Sequence, residues 1–474
     1  MPDNMEMGEN MTSTETKGNN DKTVLFESMP IGKAVAKLAI PTVVGCLVMV
    51  LYNLADTYFV GMLNDPLENA AVTLAAPVIL AFNALINLFG VGTSSLMSRA
   101  LGLKDYNLVR RSSAFGFYCA IIGGILLSTL AFVFKTPLLG LLGANEATSA
   151  ATIRYMFWTV FLGATPSILN VVMGNLVRAE GAAFHASIGT MSGCLLNIIL
   201  DPIFILPSGL NMGAAGAGMA TFISNCIACL YFIVLVIVKR GSTYVSFRPS
   251  DFVLKASMVG EIFAVGVPAA IQNLLNVTGM TILNNLMSRY GEEAVAAIGI
   301  AHKTTMVPMY IAMGISQGVM PLVGYNFAAG NNKRMKDGVL CSAKIGAVVM
   351  TIATATFIFG SRGVVSLFMS NELIVEYGSA FIIGQALAQP FLALDFLGVG
   401  VYQACGMGRQ SLIFAICRKI ILEIPALIIL NKLVPMYGLA YAQLVAEVIL
   451  SIAALICLKR IFDGRYSNKV KGCT

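Results

Sequence analysis

The chain has 474 residues, of which 57% are hydrophobic and only 12% charged. Soluble domains average about 25% charged and under 50% apolar residues, so this composition excludes a soluble enzyme and indicates a polytopic membrane protein. The 31 Lys and Arg against 24 Asp and Glu leave a net charge of +7, which in a membrane chain is a topology signal and not a mark of nucleic-acid binding.

Residues 1–28 are polar, rich in Asn, Asp, Glu, Thr and Lys, and have no apolar core. They read as a disordered cytoplasmic tail and not as a signal peptide. Apolar runs then recur at 34–62, 69–95, 111–134, 151–177, 184–207, 212–238, 257–288, 292–318, 338–360, 378–405, 410–433 and 436–459. Each is longer than the roughly 20 residues that cross a bilayer, so twelve transmembrane helices are predicted. The clearest breaks are 135–150 and the basic linker 239–256.

Basic residues set the orientation. The loop with Lys104, Arg110 and Arg111, the linker with Lys239, Arg240, Arg248 and Lys255, the loop with Lys333, Arg334 and Lys336, and the C-terminus with Lys459, Arg460, Arg465, Lys469 and Lys471 fall on one side with the N-terminal tail. The other side mixes Lys135, Arg154, Arg289, Arg362 and Lys432 with Asp65, Glu68, Glu292, Glu293, Glu372 and Glu376. The positive-inside rule then makes both termini cytoplasmic.

The halves repeat each other. Pro41 aligns with Pro268, Arg178-Ala-Glu-Gly181 with Gln403-Ala-Cys-Gly406, and Gly213-Ala-Ala with Gly438-Leu-Ala, each pair about 225 residues apart. Six spans per half make the repeat parallel, related by an axis along the membrane normal. The expected fold is an all-α polytopic membrane protein, with 12 transmembrane helices in two pseudo-symmetric six-helix lobes around a central cleft. The N-terminal lobe is placed at 29–238, the inter-lobe linker at 239–256, the C-terminal lobe at 257–460 and a cytoplasmic tail at 461–474.

Ionisable groups at bilayer depth are expensive and each needs a reason. Asp56 lies about six residues before the end of the first span, roughly 10 Å below the outer surface. It is either an interfacial acid or a carboxylate that binds H+ or Na+ during transport. Asn197 and Asp201 share a helix face in the fifth span, and Pro202 frees a carbonyl one turn back. An oxygen-rich pocket of this kind suits a hard cation or a trapped proton, although Asp201 capping a half-helix after a kink is the plainer alternative. Thr221 and Asn225 in the sixth span add oxygens or serve helix packing.

In the eleventh span Lys419 and Glu423 stand roughly where Asn197 and Asp201 do, and a pair four apart can neutralise itself. A structural ion pair is therefore expected in the C-terminal half, with the coupling site in the N-terminal half. Asp395, with no basic residue nearby in sequence, is a candidate cavity acid for a cationic substrate, or else holds a partner helix. Lys303 is a possible partner for these acids, and Glu180 and Glu447 read as structural. Met280, Met306 and Met309 belong to a Met cluster that suits a cavity accepting many shapes and equally suits lipid-facing or core packing. Cys226 and Cys229 form a CxxC inside an apolar run with no second pair or nearby His, which does not read as a metal site. Neither a Walker A motif nor HExxH is present, which disfavours ATP-driven transport and zinc chemistry.

Leu51-Tyr-Asn-Leu-Ala-Asp56-Thr-Tyr-Phe-Val-Gly61, Arg178-Ala-Glu-Gly181, Leu196-Asn-Ile-Ile-Leu-Asp201-Pro202 and Pro321-Leu-Val-Gly-Tyr-Asn-Phe327 resemble motifs of the multidrug and toxic compound extrusion (MATE) family, in the branch of Gram-positive bacterial multidrug exporters. The similarity runs from about residue 30 to 460. It implies a non-enzymatic antiporter of the bacterial plasma membrane, exporting cationic amphiphilic compounds on a proton or Na+ gradient, with no cofactor. It also implies an N-lobe cation site at Asp56, Asn197, Asp201 and Thr221, with Na+ at the first three as the one metal to consider. Another branch places a C-lobe site on a Glu in the seventh span and an Asp in the tenth. Asn276 falls near the first position here and Asp395 near the second, so that site is not expected. The partners expected are small molecules and the bilayer, with the chain acting as a monomer. A flippase for lipid-linked precursors is the rival reading; it predicts a cavity rich in Arg and Lys.

Overall fold

The computed structural model describes residues 22–63, 65–369 and 371–463. The expected disordered tail therefore lies outside the described residues up to position 21, as does the C-terminal tail from 464 onward. Residues 22–28, also expected to be disordered, are helical. Leu25 and Phe26 are buried there, at 3% and 2% exposure, and Lys22 reaches Glu180 at 2.7 Å and the Ser242 carbonyl at 2.6 Å. Two buried apolar side chains and one part-buried ion pair hold a segment whose average composition is polar.

Among the described residues the fold is helical, with a single isolated bridge between Arg240 and Thr243. The membrane-length helices are α1 (Ile31–Gly61), α2 (Pro66–Gly102), α3 (Tyr106–Val133), α4 (Glu146–Leu162 and Ala164–Ala179, bent by 45° between them), α5 (Ala183–Ile205), α6 (Ala214–Val238), α7 (Ala256–Tyr290), α8 (Glu292–Ala328), α9 (Asn332–Ser366), α10 (Glu372–Ala404), α11 (408–433) and α12 (Tyr437–Phe462). Ten are apolar enough to span by composition, and α4 joins them when its bent halves count as one span. Helix α11 is not among them because Arg418, Lys419 and Glu423 sit in its middle. Large side chains such as Phe359, Ile352 and Leu126 are exposed at 90%, 63% and 57%, as a lipid-facing surface requires and a watery one penalises.

The helix starts follow from local chemistry. Asp65, Asp105, Asn331 and Asn371 cap α2, α3, α9 and α10 by accepting from backbone N–H groups in the first turn, and Asn145 forms a capping box with Thr148 at α4. Each cap is worth about 1 kcal/mol. Helix α8 continues ten residues past its expected end at 318, because Pro321 is tolerated where Leu322, Val323 and Phe327 bury a continuing face.

The chain forms two compact units. Among the described residues, one comprises 22–29 together with Leu47–Ala270, and the other comprises Pro30–Cys46 and the stretch from Ile271 to 463. These differ from the expected lobes, because the first halves of α1 and α7 each belong to the unit of the opposite half. Within each unit, glycines permit the helices concerned to pack closely. In the second unit a Cβ on Gly314 or Gly318 of α8 would lie 2.8 Å from Val43 Cα or 2.7 Å from Ala39 Cα, so α1 approaches α8 backbone to backbone. In the first unit Gly92 faces the Ile262 carbonyl and Gly266 faces the Leu88 carbonyl, at 2.4 and 2.2 Å for an added Cβ, which brings α7 onto α2 in the same way. Small residues permit this approach in membranes, where dispersion contacts replace the hydrophobic drive.

Candidate ion-coupling site

In the first unit α5 remains helical through Pro202 and ends at Ile205, so Asp201 lies within the helix and caps nothing. Asn197 and Asp201 are 2% and 0% exposed. The Asn197 amide is satisfied when its NH2 donates to Asp201 Oδ2 at 3.0 Å and its oxygen accepts from the Thr221 N–H at 3.0 Å and hydroxyl at 3.2 Å. This turns a donor toward Asp201 and ties α5 to α6. One turn along α6, Asn225 donates to Ser167 Oγ at 3.1 Å and accepts from Asn170 at 3.1 Å, extending the polar ladder to α4.

Helix α1 supplies Asp56, which is half-buried, and Tyr52 four residues before it on the same face. Asp201 lies within reach of the Asp56 charge. Tyr52 neighbours Asp56, Asp201 and Thr221, and Tyr155 of α4 neighbours Tyr52 and both acids. The structure thus gathers Asp56, Asn197, Asp201 and Thr221, and adds Tyr52 and Tyr155. Tyr52 was legible as the i−4 neighbour of Asp56, whereas Tyr155 sits in an apolar stretch that gives no such signal. Among the described residues no ion pair engages Asp56 or Asp201.

The second unit is arranged differently. Lys419 Nζ lies 2.6 Å from Glu423 Oε2 and 2.7 Å from Oε1. A wider, π-type turn over Cys417–Glu423 carries Arg418, Lys419 and Glu423, all of them buried. Arg418 binds Glu447 Oε1 of α12 through Nε at 2.8 Å and Nη2 at 2.6 Å. Of the two readings of Asp395, the structure favours the one in which it holds a partner helix: it is fully buried and its carboxylate is 3.4 Å from Arg418 Nη1. The basic partner missing from its sequence neighbourhood arrives from α11, so Asp395 is no open cavity acid. Met280 is 42% exposed and Met306 and Met309 are half-buried. A cavity of about 10 Å³ in this unit, lined by Ala312, Ser316, Ser342 and Ala393 among others, includes none of the three. Lys303 is exposed and makes no ion pair among the described residues, while Glu180 accepts from Lys22, Thr243 and the Tyr244 N–H.

A groove of about 720 Å³ on the first unit, between α2, α3 and the short helix Lys135–Leu141, is lined by Pro77, Leu85, Leu127, Phe134 and other apolar residues. Its lining side chains include no polar group to orient a cation or carry a proton. Among the described residues no group of three or more His, Cys, Asp or Glu could hold a metal ion.

Among the described residues, twelve long helices in two units, ten or eleven of them apolar enough to span, with ionisable groups held inside them, define a multi-pass membrane transporter. The MatE family profile matches residues 41–203 and again 268–429, once in each half of the repeat. The multidrug export protein MepA of Staphylococcus aureus (strain NCTC 8325 / PS 47) is 35% identical over 447 residues, covering 94% of this chain and 97% of that protein. MepA of Staphylococcus haemolyticus (strain JCSC1435) is 33% identical over 438 residues, covering 92% and 95%. A solved outward-facing structure of a multidrug resistance MATE family transporter of the MOP superfamily superposes with a TM-score of 0.87 at 25% identity, covering 93% of this chain and 98% of that one. The chain belongs to the MatE family of membrane transporters.

Proposed function

We propose that this protein is a multidrug efflux antiporter of the bacterial plasma membrane, both termini cytoplasmic, exporting cationic amphiphilic compounds in exchange for H+ or Na+ by alternating access. The observation that carries the reading is the contrast between units. Asp56 and Asp201 form a two-carboxylate pocket with no ion pair among the described residues, while the buried acids of the second unit lie against Arg418 and Lys419. A carboxylate without a fixed partner needs a mobile one. Asp56, Asp201, Thr221 Oγ1 and the Tyr52 hydroxyl offer oxygens to a proton or a hard cation, and Asn197 orients Asp201. Ion and drug then exert opposite effects on one conformational equilibrium, because a ligand without differential affinity for two states shifts nothing. One chain carries both repeated units, so a monomer suffices. No step requires a cofactor.

Expression in a pump-deficient bacterium tests the cargo. Raised resistance to ethidium and similar cations is expected. Unchanged resistance, with the protein present in the membrane, would transfer the weight to a flippase of lipid-linked precursors.

A further inference from the structure

Within the first unit α4, α5 and α6 meet along a seam that changes character halfway. On α5, Asp201, Asn197, Gly193 and Gly189 recur every four residues and so share one face. The outer half of the seam is polar. Asn197 binds Thr221 of α6, Asn225 of α6 donates to Ser167 Oγ of α4 at 3.1 Å, and Asn170 of α4 donates to Asn225 Oδ1 at 3.1 Å. Two buried oxygens here, Asn170 Oδ1 and Ser224 Oγ, have no hydrogen-bond partner among the described residues. The inner half is filled by one ring. Phe232 lies two turns past Asn225 on the same face of α6, roughly 10 Å along the axis, and is 0% exposed. Its Cζ would lie 2.4 Å from a Cβ on Gly189 of α5 and 3.6 Å from one on Gly174 of α4. The ring therefore crosses from α6 and packs on the backbones of both neighbours. One turn outward, a Cβ on Gly193 would lie 3.2 Å from the Ala228 Cβ and from the Ser224 carbonyl oxygen, so α5 and α6 close on each other there as well. The polar thread that begins at Asp201 stops at Asn170, and one turn further in stands an apolar ring.

We propose that Phe232 is a plug that stops the coupling ion from crossing the first unit along this seam, an inference that rests on the coupling role given to Asp56 and Asp201. An ion that enters the acid pocket meets polar side chains as far in as Asn170. Beyond it the ring offers no oxygen to replace lost hydration, and that loss is costly at bilayer depth. A seam open from the pocket to the inner end of α6 would dissipate the gradient without moving drug. With the plug in place, release of the ion requires the conformational change that also moves drug. Glycine at 174 and 189 makes room for a whole ring at a junction of three helices, and a side chain at 189 would displace it. Phe232 binds neither ion nor drug; it insulates one side of the pocket.

The test is passive ion leak in proteoliposomes of the full chain without drug, read by a trapped pH dye or Na+ indicator. A pH gradient and a Na+ gradient are imposed in turn at clamped membrane potential. Wild type and Phe232→Leu, which keeps the socket apolar, should be as tight as protein-free vesicles. Phe232→Ser should leak one of the two ions, because water can then bridge the new hydroxyl and Asn170 Oδ1. Phe232→Thr removes fewer atoms, should leak less, and carries the test where Phe232→Ser does not fold. Adding Asp201→Asn to either should abolish the leak, since the thread begins at that acid. Tight vesicles with both Phe232→Ser and Phe232→Thr, or a wild type that leaks as they do, would overturn the plug. A leak that survives Asp201→Asn would overturn the path from the pocket. Failure of the coupling reading shows in a different assay, as uphill ethidium flux in the Phe232 background that Asp201→Asn leaves intact.

Discussion

Gly260 and Gly266 lie six residues apart on α7, and alanine should act on them with opposite sign. A Cβ at Gly266 would sit 2.2 Å from the Leu88 carbonyl oxygen and 2.9 Å from Leu88 Cα. These are backbone atoms of a neighbouring helix, so relief requires moving α2 and α7 apart. The normal contact is roughly 3.5 Å or more, which asks for about an ångström of separation along a packed seam. Overpacking of this kind costs about 1–3 kcal/mol. At Gly260 nothing lies within 4 Å of the added carbon, so Gly260→Ala gains helix propensity of up to about 1 kcal/mol. Thermal unfolding of the two variants in the same detergent, followed by the loss of monodisperse protein, reads the difference. Equal midpoints for both variants, or a stabilised Gly266→Ala, would refute the close approach of α7 and α2 on which the unit assignment rests.

Two further outcomes follow from buried contacts. Glu447→Ala removes two hydrogen bonds from the buried Arg418, which keeps Asp395 at 3.4 Å, and should destabilise the protein by about 1.5–3 kcal/mol in detergent unfolding. Gly181→Ala places a Cβ 2.8 Å from the Phe26 ring at φ +88, so it should cost about 1–3 kcal/mol and speed proteolytic cleavage around residues 22–28, which limited digestion would show.

Much of this architecture is written in the sequence as period and composition. The twelve apolar runs match the observed helices closely because nothing but a helix satisfies the backbone in lipid. The pocket was legible where its members share one helix: Asn197 and Asp201 are four apart, and so are Tyr52 and Asp56. Partnerships between helices were not legible. Asp395 looked isolated because its cation, Arg418, is 23 positions away in sequence, and local spacing carries no information about which faces of α10 and α11 meet. The unit boundaries were hidden for the same reason. Gly92, Gly266, Gly314 and Gly318 look like ordinary helix glycines until the backbones they admit are seen. Composition likewise misjudged residues 22–28, where Leu25, Phe26 and Lys22 outweigh a polar average.

The central claim is that the acid pocket of the first unit couples an ion gradient to export. Ethidium flux into or out of proteoliposomes, driven in turn by an imposed pH gradient and an imposed Na+ gradient, tests it with wild type beside Asp201→Asn. The substitution is nearly isosteric and keeps an acceptor for the Asn197 amide, so the protein should still reconstitute. A pH difference of one unit is worth about 1.4 kcal/mol per proton, or about tenfold in the drug ratio for one-to-one exchange. The account predicts uphill flux under one of the two gradients in wild type and none in Asp201→Asn. Uphill flux that persists in the variant, or no flux under either gradient in wild type, would contradict it.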